Sequence, residues 1–392
     1  MVMLMCLWFF GDSIPEIKNS VSSGKKEMVF HEDLRFGGGE EANYLWQDSV
    51  ISCDLDVNAK GDIFVRDMGS SRILHFDGKG VFKAVIATKG EGPGEFQQAN
   101  YWGILNEGAV GYDMAGGGSS FVYFDKNYRF QNETSVLATG YIPRLVKASP
   151  DGNWIFAQAF QADGNSTNKT AILMDRNLKV VEELWSMPTP APDGDRMFDV
   201  NMWKAFLVPR IKLMWEENRH FVSFGYDGSI YKVDGASYRI EKWDATNKKK
   251  LMVVEREYTP IPFTERTKQS IVAFFQDTIF EQVPQVQNVV TEKVLDRAVE
   301  DAQLPRFQYP IQGLIPADDG HFAVIHRVDH GEGTVSGHYF SPAGKCLARF
   351  DYPGSGIFDV FGIRLVIRAG FFYGLEKNED GDNQVVRYRF SL

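Results

Sequence analysis

Gly61-Asp-Ile-Phe-Val-Arg-Asp67-Met-Gly-Ser-Ser-Arg72-Ile-Leu-His-Phe-Asp77 aligns without a gap on Gly228-Ser-Ile-Tyr-Lys-Val-Asp234-Gly-Ala-Ser-Tyr-Arg239-Ile-Glu-Lys-Trp-Asp244. Glycine, isoleucine, aspartate, serine, arginine, isoleucine and aspartate recur in register. Each copy alternates apolar and polar residues on either side of a short Gly/Ser turn, the pattern of two strands that show one face to a core. The repeating unit is therefore a β-hairpin.

Looser copies keep the order strand, turn, strand. Gly108 to Asp113 leads to Phe121–Asp125, Gly152 to Gln158 leads to Thr170–Asp175, and Gly320 to His326 leads to His338–Ser341. Gly370 to Glu376 leads to Val385–Phe390 and completes six copies. Short apolar runs before most hairpins (Ile51 to Val57, Arg144 to Ala148) and after them (Val81 to Thr88, Leu178 to Trp185) add a first and a fourth strand. Four antiparallel strands repeated around a ring are the blades of a propeller. The expected fold is thus all-β, a six-bladed β-propeller of four-stranded antiparallel blades over residues 25–392. The last hairpin reaches the C-terminus without a fourth strand. Glu27 to Arg35 reads as an isolated strand that supplies it and closes the ring, which removes exposed sheet edges. The apolar stretch Ala205 to Trp215 leaves the first strand of the fourth blade ambiguous and a seventh blade open.

Composition agrees with this reading. The 37 glycines and 30 phenylalanines in 392 residues suit many short strands joined by tight turns. A formal net charge of −10, with no cluster of lysine and arginine beyond Lys248 to Lys250, argues against a nucleic-acid partner. Cys6, Cys53 and Cys346 lie far apart, so neither a zinc site nor a disulfide framework is indicated. Residues 1–24 read as an apolar segment followed by a linker. Met1 to Phe10 is too short to span a bilayer and lacks a basic flank, and it is taken as the remnant of an export signal. Cys6 follows Met5, which is larger than a lipoprotein signal wants. No segment is apolar over the length of a transmembrane helix, and an exported location is expected.

Gly61 to Asp67, Arg72 to Asp77 and the following Gly90-Glu-Gly-Pro-Gly-Glu-Phe96 together resemble an NHL repeat with its Gly-Pro-Gly-Glu-Phe tail. The likeness is close in the first blade and partial in the fourth. The whole chain also resembles bacterial six-bladed propeller proteins, many of them exported, and this implies a single propeller. The NHL-type lyases that cleave amidated peptides use histidines from several blades, whereas the second and third blades here contain none.

Thr264 to Gln303 breaks the strand pattern between blades four and five. Ile271, Val272, Phe274, Phe275, Ile279 and Phe280 recur at helical spacing after Thr264, a good N-cap, and a second helix is expected from Thr291, with Val294, Leu295, Ala298 and Val299 on one face. Such an insertion either packs on the disc or covers the channel mouth.

Six residues past each hairpin glycine stand Asp67, Gln158, Asp234, His326 and Glu376, with Asp113 one place earlier. If the copies superpose, the six form a polar ring around a channel mouth, able to bind a polar ligand and leaving room for a divalent cation. The competing role is local, because an aspartate before a Gly/Ser turn bonds nearby amides. His321, His326, His330 and His338 are close in sequence, but strand alternation turns His326 away from His321. No cofactor is called for by any motif, and the Gly-rich run at Gly116 to Gly118 sits between strands, unlike a phosphate-binding loop. The sequence thus favours a non-enzymatic scaffold that binds a protein, peptide or glycan at its channel mouth or rim. The alternative is a metal-dependent hydrolase or lyase of lactonase or esterase type, with its cation in the channel.

Overall fold

The computed structural model describes residues 14–39, 44, 53–115, 118–163, 166–189, 194–216, 219–326, 334–355, 358–359, 362–363 and 365–392. Met1 to Phe10, with Cys6, lies outside the described residues, as does His330. Three short N-terminal strands come first: β1 (Glu16–Asn19), β2 (Lys26–Glu27) and β3 (Val29–Gly37). Blade one holds β4 (Cys53–Val57), β5 (Ile63–Asp67), β6 (Arg72–Phe76) and β7 (Phe82–Ala87). Blade two runs from β8 (Ala99–Leu105) through β9 (Gly108–Ala115) and β10 (Gly118–Phe124) to β11 (Phe130–Ser135). Blade three comprises β12 (Tyr141–Ala148), β13 (Trp154–Asp163), β14 (Ser166–Asp175) and β15 (Val180–Pro188). Blade four comprises β16 (His220–Phe224), β17 (Ser229–Asp234), β18 (Arg239–Asp244) and β19 (Lys249–Arg256). Blade five is β20 (Gly313–Pro316), β21 (Phe322–Ile325), β22 (Thr334–Phe340) and β23 (Cys346–Ser355). After a two-residue pair, β24 (Phe358–Asp359) and β25 (Gly362–Ile363), blade six is built from β26 (Leu365–Arg368), β27 (Phe371–Lys377) and β28 (Asn383–Ser391).

The sixth blade takes its outer strand from the other end of the chain. β3 pairs antiparallel with β28 from Gly37 opposite Gln384 to Val29 opposite Ser391, as the isolated N-terminal strand foretold. The residues before it, which read as linker, are also paired. β1 lies parallel to β19 on the edge of blade four, and β2 lies parallel to β23 on the edge of blade five. One strap thus covers three consecutive blade edges. Asn19 fastens it, since its Nδ2 donates to the Gly344 carbonyl at 3.0 Å while its Oδ1 accepts from the Cys346 amide at 2.8 Å. Arg256 holds the next turn through the carbonyls of Val21 and Ser23.

Recurrent aspartates shape the turns between third and fourth strands. Asp77, Asp125 and Asp175 each accept from the amides two and four residues on, and Asp244 accepts from those of Thr246 and Asn247. The tail of the first repeat has a packing role. Glu95 accepts from the Gly92 amide, and Phe96, fully buried, fills the space between blades one and two. A Cβ on Gly111 would come within 2.3 Å of the Phe96 ring, so only glycine fits there.

Helices occupy two blade-to-blade links. α1 (Val200–Glu216) lies between blades three and four, where the sequence left a strand ambiguous. Met202, Trp203, Phe206, Leu207, Ile211 and Trp215 recur at helical spacing, and Pro209 in their midst disguises the helix. α2 (Glu265–Gln282) starts where Thr264 accepts from the Thr267 amide, and α3 (Glu292–Asp301) follows Thr291, both as expected. The three pack mainly on one another. Ile271, Phe275, Leu295 and Val299 share a core with the α1 residues, and Ala236 in the β17–β18 turn joins its border. The helices therefore form a satellite layer beside blade four.

Deleting residues up to Gly37 should unfold or aggregate the protein, because three blade edges lose their partners. Circular dichroism and light scattering of the truncated chain check this, and a melting curve like that of the full chain contradicts it. Phe275 is 8% exposed and Phe274 is 38% exposed. Phe275→Ala is expected to cost about 3 kcal/mol by chemical denaturation and Phe274→Ala under about 1 kcal/mol.

Candidate functional site

The innermost strands β4, β8, β12, β16, β20 and β26 line the propeller axis, and their alternation sends one set of side chains into the channel. Every blade contributes a polar or charged group at the end where first strands turn into second strands. Asp56 comes from β4, with Asp54 two residues nearer the start of that strand and 3.8 Å from Arg66, Tyr101 from β8, Lys147 from β12, Tyr226 from the β16–β17 turn, Asp318 from the β20–β21 turn and Arg368 from the end of β26. Their fields overlap. Asp56 feels Arg368 and Asp54, Lys147 feels Asp54, and Tyr226 feels Asp56, Arg368 and Asp318.

Burial dominates the electrostatics of this channel end. It pushes the Asp56 carboxyl up to about 6, despite hydrogen bonds from the Ile104 and Val57 amides and the nearby Arg368 charge. Desolvation likewise lowers the Lys147 ammonium and raises the phenols of Tyr101 and Tyr226. The Tyr101 hydroxyl accepts from the Ala148 amide at 2.9 Å, which ties blade two to blade three. The Arg368 guanidinium lies over the Tyr226 ring, its carbon 3.6 Å from the ring centroid. Asp318 Oδ2 stands 4.0 Å from Arg368 Nε and accepts from the Ala369 amide at 2.9 Å.

Beside this mouth, a cleft of about 420 Å³ runs outward between blades six and one. Phe371 and Tyr373 are among its apolar walls, and Lys60, Lys79 and Arg387 give it positive charge beside Asp77. Arg387 is itself anchored, its Nε to Asp33 and its Nη1 to the Gly78 carbonyl, both at 2.7 Å. Ala369 links cleft and channel end.

The six residues singled out from the repeat stand at the other end of the second strands, on the face where α1, α2 and α3 enter and leave. Asp67, fully buried, bonds the Ser70 amide and pairs with Arg72 at 2.9 Å. Asp113 accepts from the Gln97 and Gln98 amides, so it holds the end of the Phe96 tail. Asp234 accepts from the Ala236 amide and the Ser237 hydroxyl. Glu376 accepts from the hydroxyls of Tyr352 and Tyr388 and pairs with Arg35 of the closing strand. Gln158 is buried in β13 opposite Leu145 and Ala171. The hydrogen bonds of the four carboxylates are made within a turn or to neighbouring strands, and none joins two of them.

His326 meets His338, not His321, which stacks on Tyr339. Arg256 Nη2 donates to His338 Nε2, which leaves the proton on Nδ1 to donate to His326 Nε2 at 2.5 Å. Burial first, then the Arg256 charge, lowers His326 to about 4, and burial with the neighbouring cations lowers His338 to about 3. The pair thereby backs the arginine that grips the strap.

The channel residues carry a sequence signal of their own. Tyr226, Asp318 and Arg368 each stand two places before the hairpin glycines Gly228, Gly320 and Gly370, while Asp56 and Lys147 stand five places before Gly61 and Gly152. Their differing chemistry hides the shared position.

The fold and this axis define a six-bladed β-propeller with a polar channel end. Residues 55–192 match the family model DUF5128, described as 6-bladed beta-propeller. Among solved structures, a candidate exported protein from Bacteroides fragilis aligns with a TM-score of 0.50 and 9% identity over 97% of this chain and 99% of the other. A member of the DUF4221 family from Bacteroides vulgatus gives a TM-score of 0.50 and 9% identity over 94% and 99%. Virginiamycin B lyase from Staphylococcus aureus aligns less well, at 0.42 and 8% over 92% and 99%. At these identities the likeness concerns the fold alone. No curated protein matches the sequence.

Asp56→Asn should stabilise the protein by about 1–3 kcal/mol above pH 6, because a carboxyl raised in the folded state penalises folding once ionised. The gain should fade as pH falls from about 6 towards 4, where folded and unfolded forms are both protonated. Denaturant curves across that range check the sign. The histidine pair acts oppositely on pH. Both rings stay neutral when folded, so their contribution is present above about 6.5 and is lost as pH falls towards 4, on the order of 1–2 kcal/mol per ring by pH 5. In His338→Gln the loss of stability between pH 7 and 5 should shrink.

Proposed function

We propose that the chain is an exported, non-enzymatic propeller that binds a protein, peptide or glycan ligand at one mouth of its channel. One observation supports this most: polar side chains from all six blades come together at one channel end, where Asp56, Tyr101, Lys147 and Tyr226 are desolvated, next to a cleft of about 420 Å³. That volume lies in the range of small-ligand sites, and mixed charge with aromatic walls suits recognition of an organic ligand. No described helix is long and apolar enough to cross a membrane.

The alternative places a divalent cation among the channel carboxylates and makes the chain a hydrolase or lyase. Asp54, Asp56 and Asp318 offer oxygen ligands of the right kind. Arg368 and Lys147 put positive charge among them, and among the described residues no three of histidine, cysteine, aspartate and glutamate cluster closely enough to share one ion. The binding reading is the better supported. Elemental analysis of the purified protein, with melting curves with and without calcium, tests it. The expected result is no stoichiometric calcium or zinc and an unchanged melting temperature. A bound ion at one per chain, lost in Asp54→Asn, would favour the enzyme.

A further inference from the structure

Arg368 is 6% exposed, yet its Nε and Nη1 have no hydrogen-bond partner. A buried cation with unmet donors is costly, and folded chains rarely retain one without use. Tyr226 covers one face of the guanidinium, and Asp318, at 4.0 Å, is beyond hydrogen-bond range and directed to the Ala369 amide. The group is thus held over the Tyr226 ring while its Nε and Nη1 remain unsatisfied, as expected of a preorganised anion seat.

We propose that Arg368 is the seat for a free carboxylate of the ligand, received at the channel end while Tyr226 holds the guanidinium in place. This rests on the channel-mouth reading and names the chemistry of that ligand. The surrounding charges select the type of anion. Asp54, Asp56 and Asp318 stand among three cations, Arg368, Lys147 and Arg66, the last 3.8 Å from Asp54, so the fixed charges balance and one negative charge suffices for the guanidinium, whereas a dianionic phosphate would bring a surplus charge. Lys60 and Lys79 in the adjoining cleft form no ion pair among the described residues and would attract further negative groups on a longer ligand. A carboxylate of this kind is supplied by a peptide C-terminus or by a uronic acid.

The test uses the full chain at constant ionic strength, with calorimetry and melting curves. The probes are a pool of random tetrapeptides with free C-termini, the same pool amidated, a galacturonate trimer, its methyl ester, and inorganic phosphate. One of the two acids should bind and raise the melting temperature, and its neutral counterpart should bind about 10-fold or more weakly, the loss of one charge-assisted hydrogen bond. Whichever acid binds identifies the source of the carboxylate. Arg368→Gln should abolish the acid response while the unliganded protein melts no lower than the parent, since an unpaired buried charge has gone. Arg368→Lys, which keeps the charge without the fork, should bind at an intermediate level, and it serves if the glutamine variant fails to fold. Neither acid binding, phosphate binding more tightly than both acids, or an undiminished response in the Arg368 variants would overturn the proposal. Acid and neutral probes that bind alike and are both lost in Tyr226→Ala would overturn the carboxylate seat but keep the channel-mouth reading. Acid binding untouched in both Arg368→Gln and Tyr226→Ala would overturn the two together.

Discussion

Because each blade is a twisted sheet with two edges, a propeller holds its shape only if the first and last blades are joined, and here the chain does this with strand pairing, ion pairs and a shared apolar core. β3 lies along β28, and Arg35 and Asp33 on β3 reach Glu376 and Arg387 of the last blade. Closure puts the inner strands in a ring. It is this ring that brings Asp56 of the first blade near Arg368 of the last, two groups far apart in sequence. The site is therefore a product of closure, and the strap that runs over blades four, five and six protects the same seam.

Much of the fold was legible because it is written locally and repeated. The hairpin glycines, the alternation of apolar residues and the aspartates that end third strands announce strand, turn and strand in each copy. Thr264 announced its helix for the same reason, since an N-cap acts on amides within one turn, and the apolar spacing from Val294 to Val299 announced the next. What escaped is what depends on distant partners or on a conflicting local cue. Pro209 obscured α1, whose Trp203, Phe206 and Leu207 are buried by α3 and its surroundings. β1 and β2 are parallel additions of a few residues to edges more than two hundred positions away, and nothing in Glu16 to Asn19 alone specifies them.

The site shows the same division. Asp67, Asp113, Asp234 and Glu376 stand out because turn chemistry repeats, and the bonds they make are mainly those of turns and strand packing. Tyr226, Asp318 and Arg368 share a register before the hairpin glycine but not a residue type, so similarity between copies could not pick them out. Their common feature is physical. All three meet at the Arg368 guanidinium; burial works against Tyr226 and Arg368 while Asp318 is exposed, and Arg368 keeps an Nε and an Nη1 that the fold leaves unused. Stability alone would favour apolar side chains at such positions.

That unfavourable burial is the quantity most open to direct observation. Carbon-13 NMR of side-chain carboxyls, with Asp56 assigned through Asp56→Asn, would follow its titration in the folded protein. A midpoint near 6 is expected of a carboxyl desolvated at the channel end. A midpoint at the ordinary aspartate value would mean a hydrated channel without the convergence on which the functional reading rests.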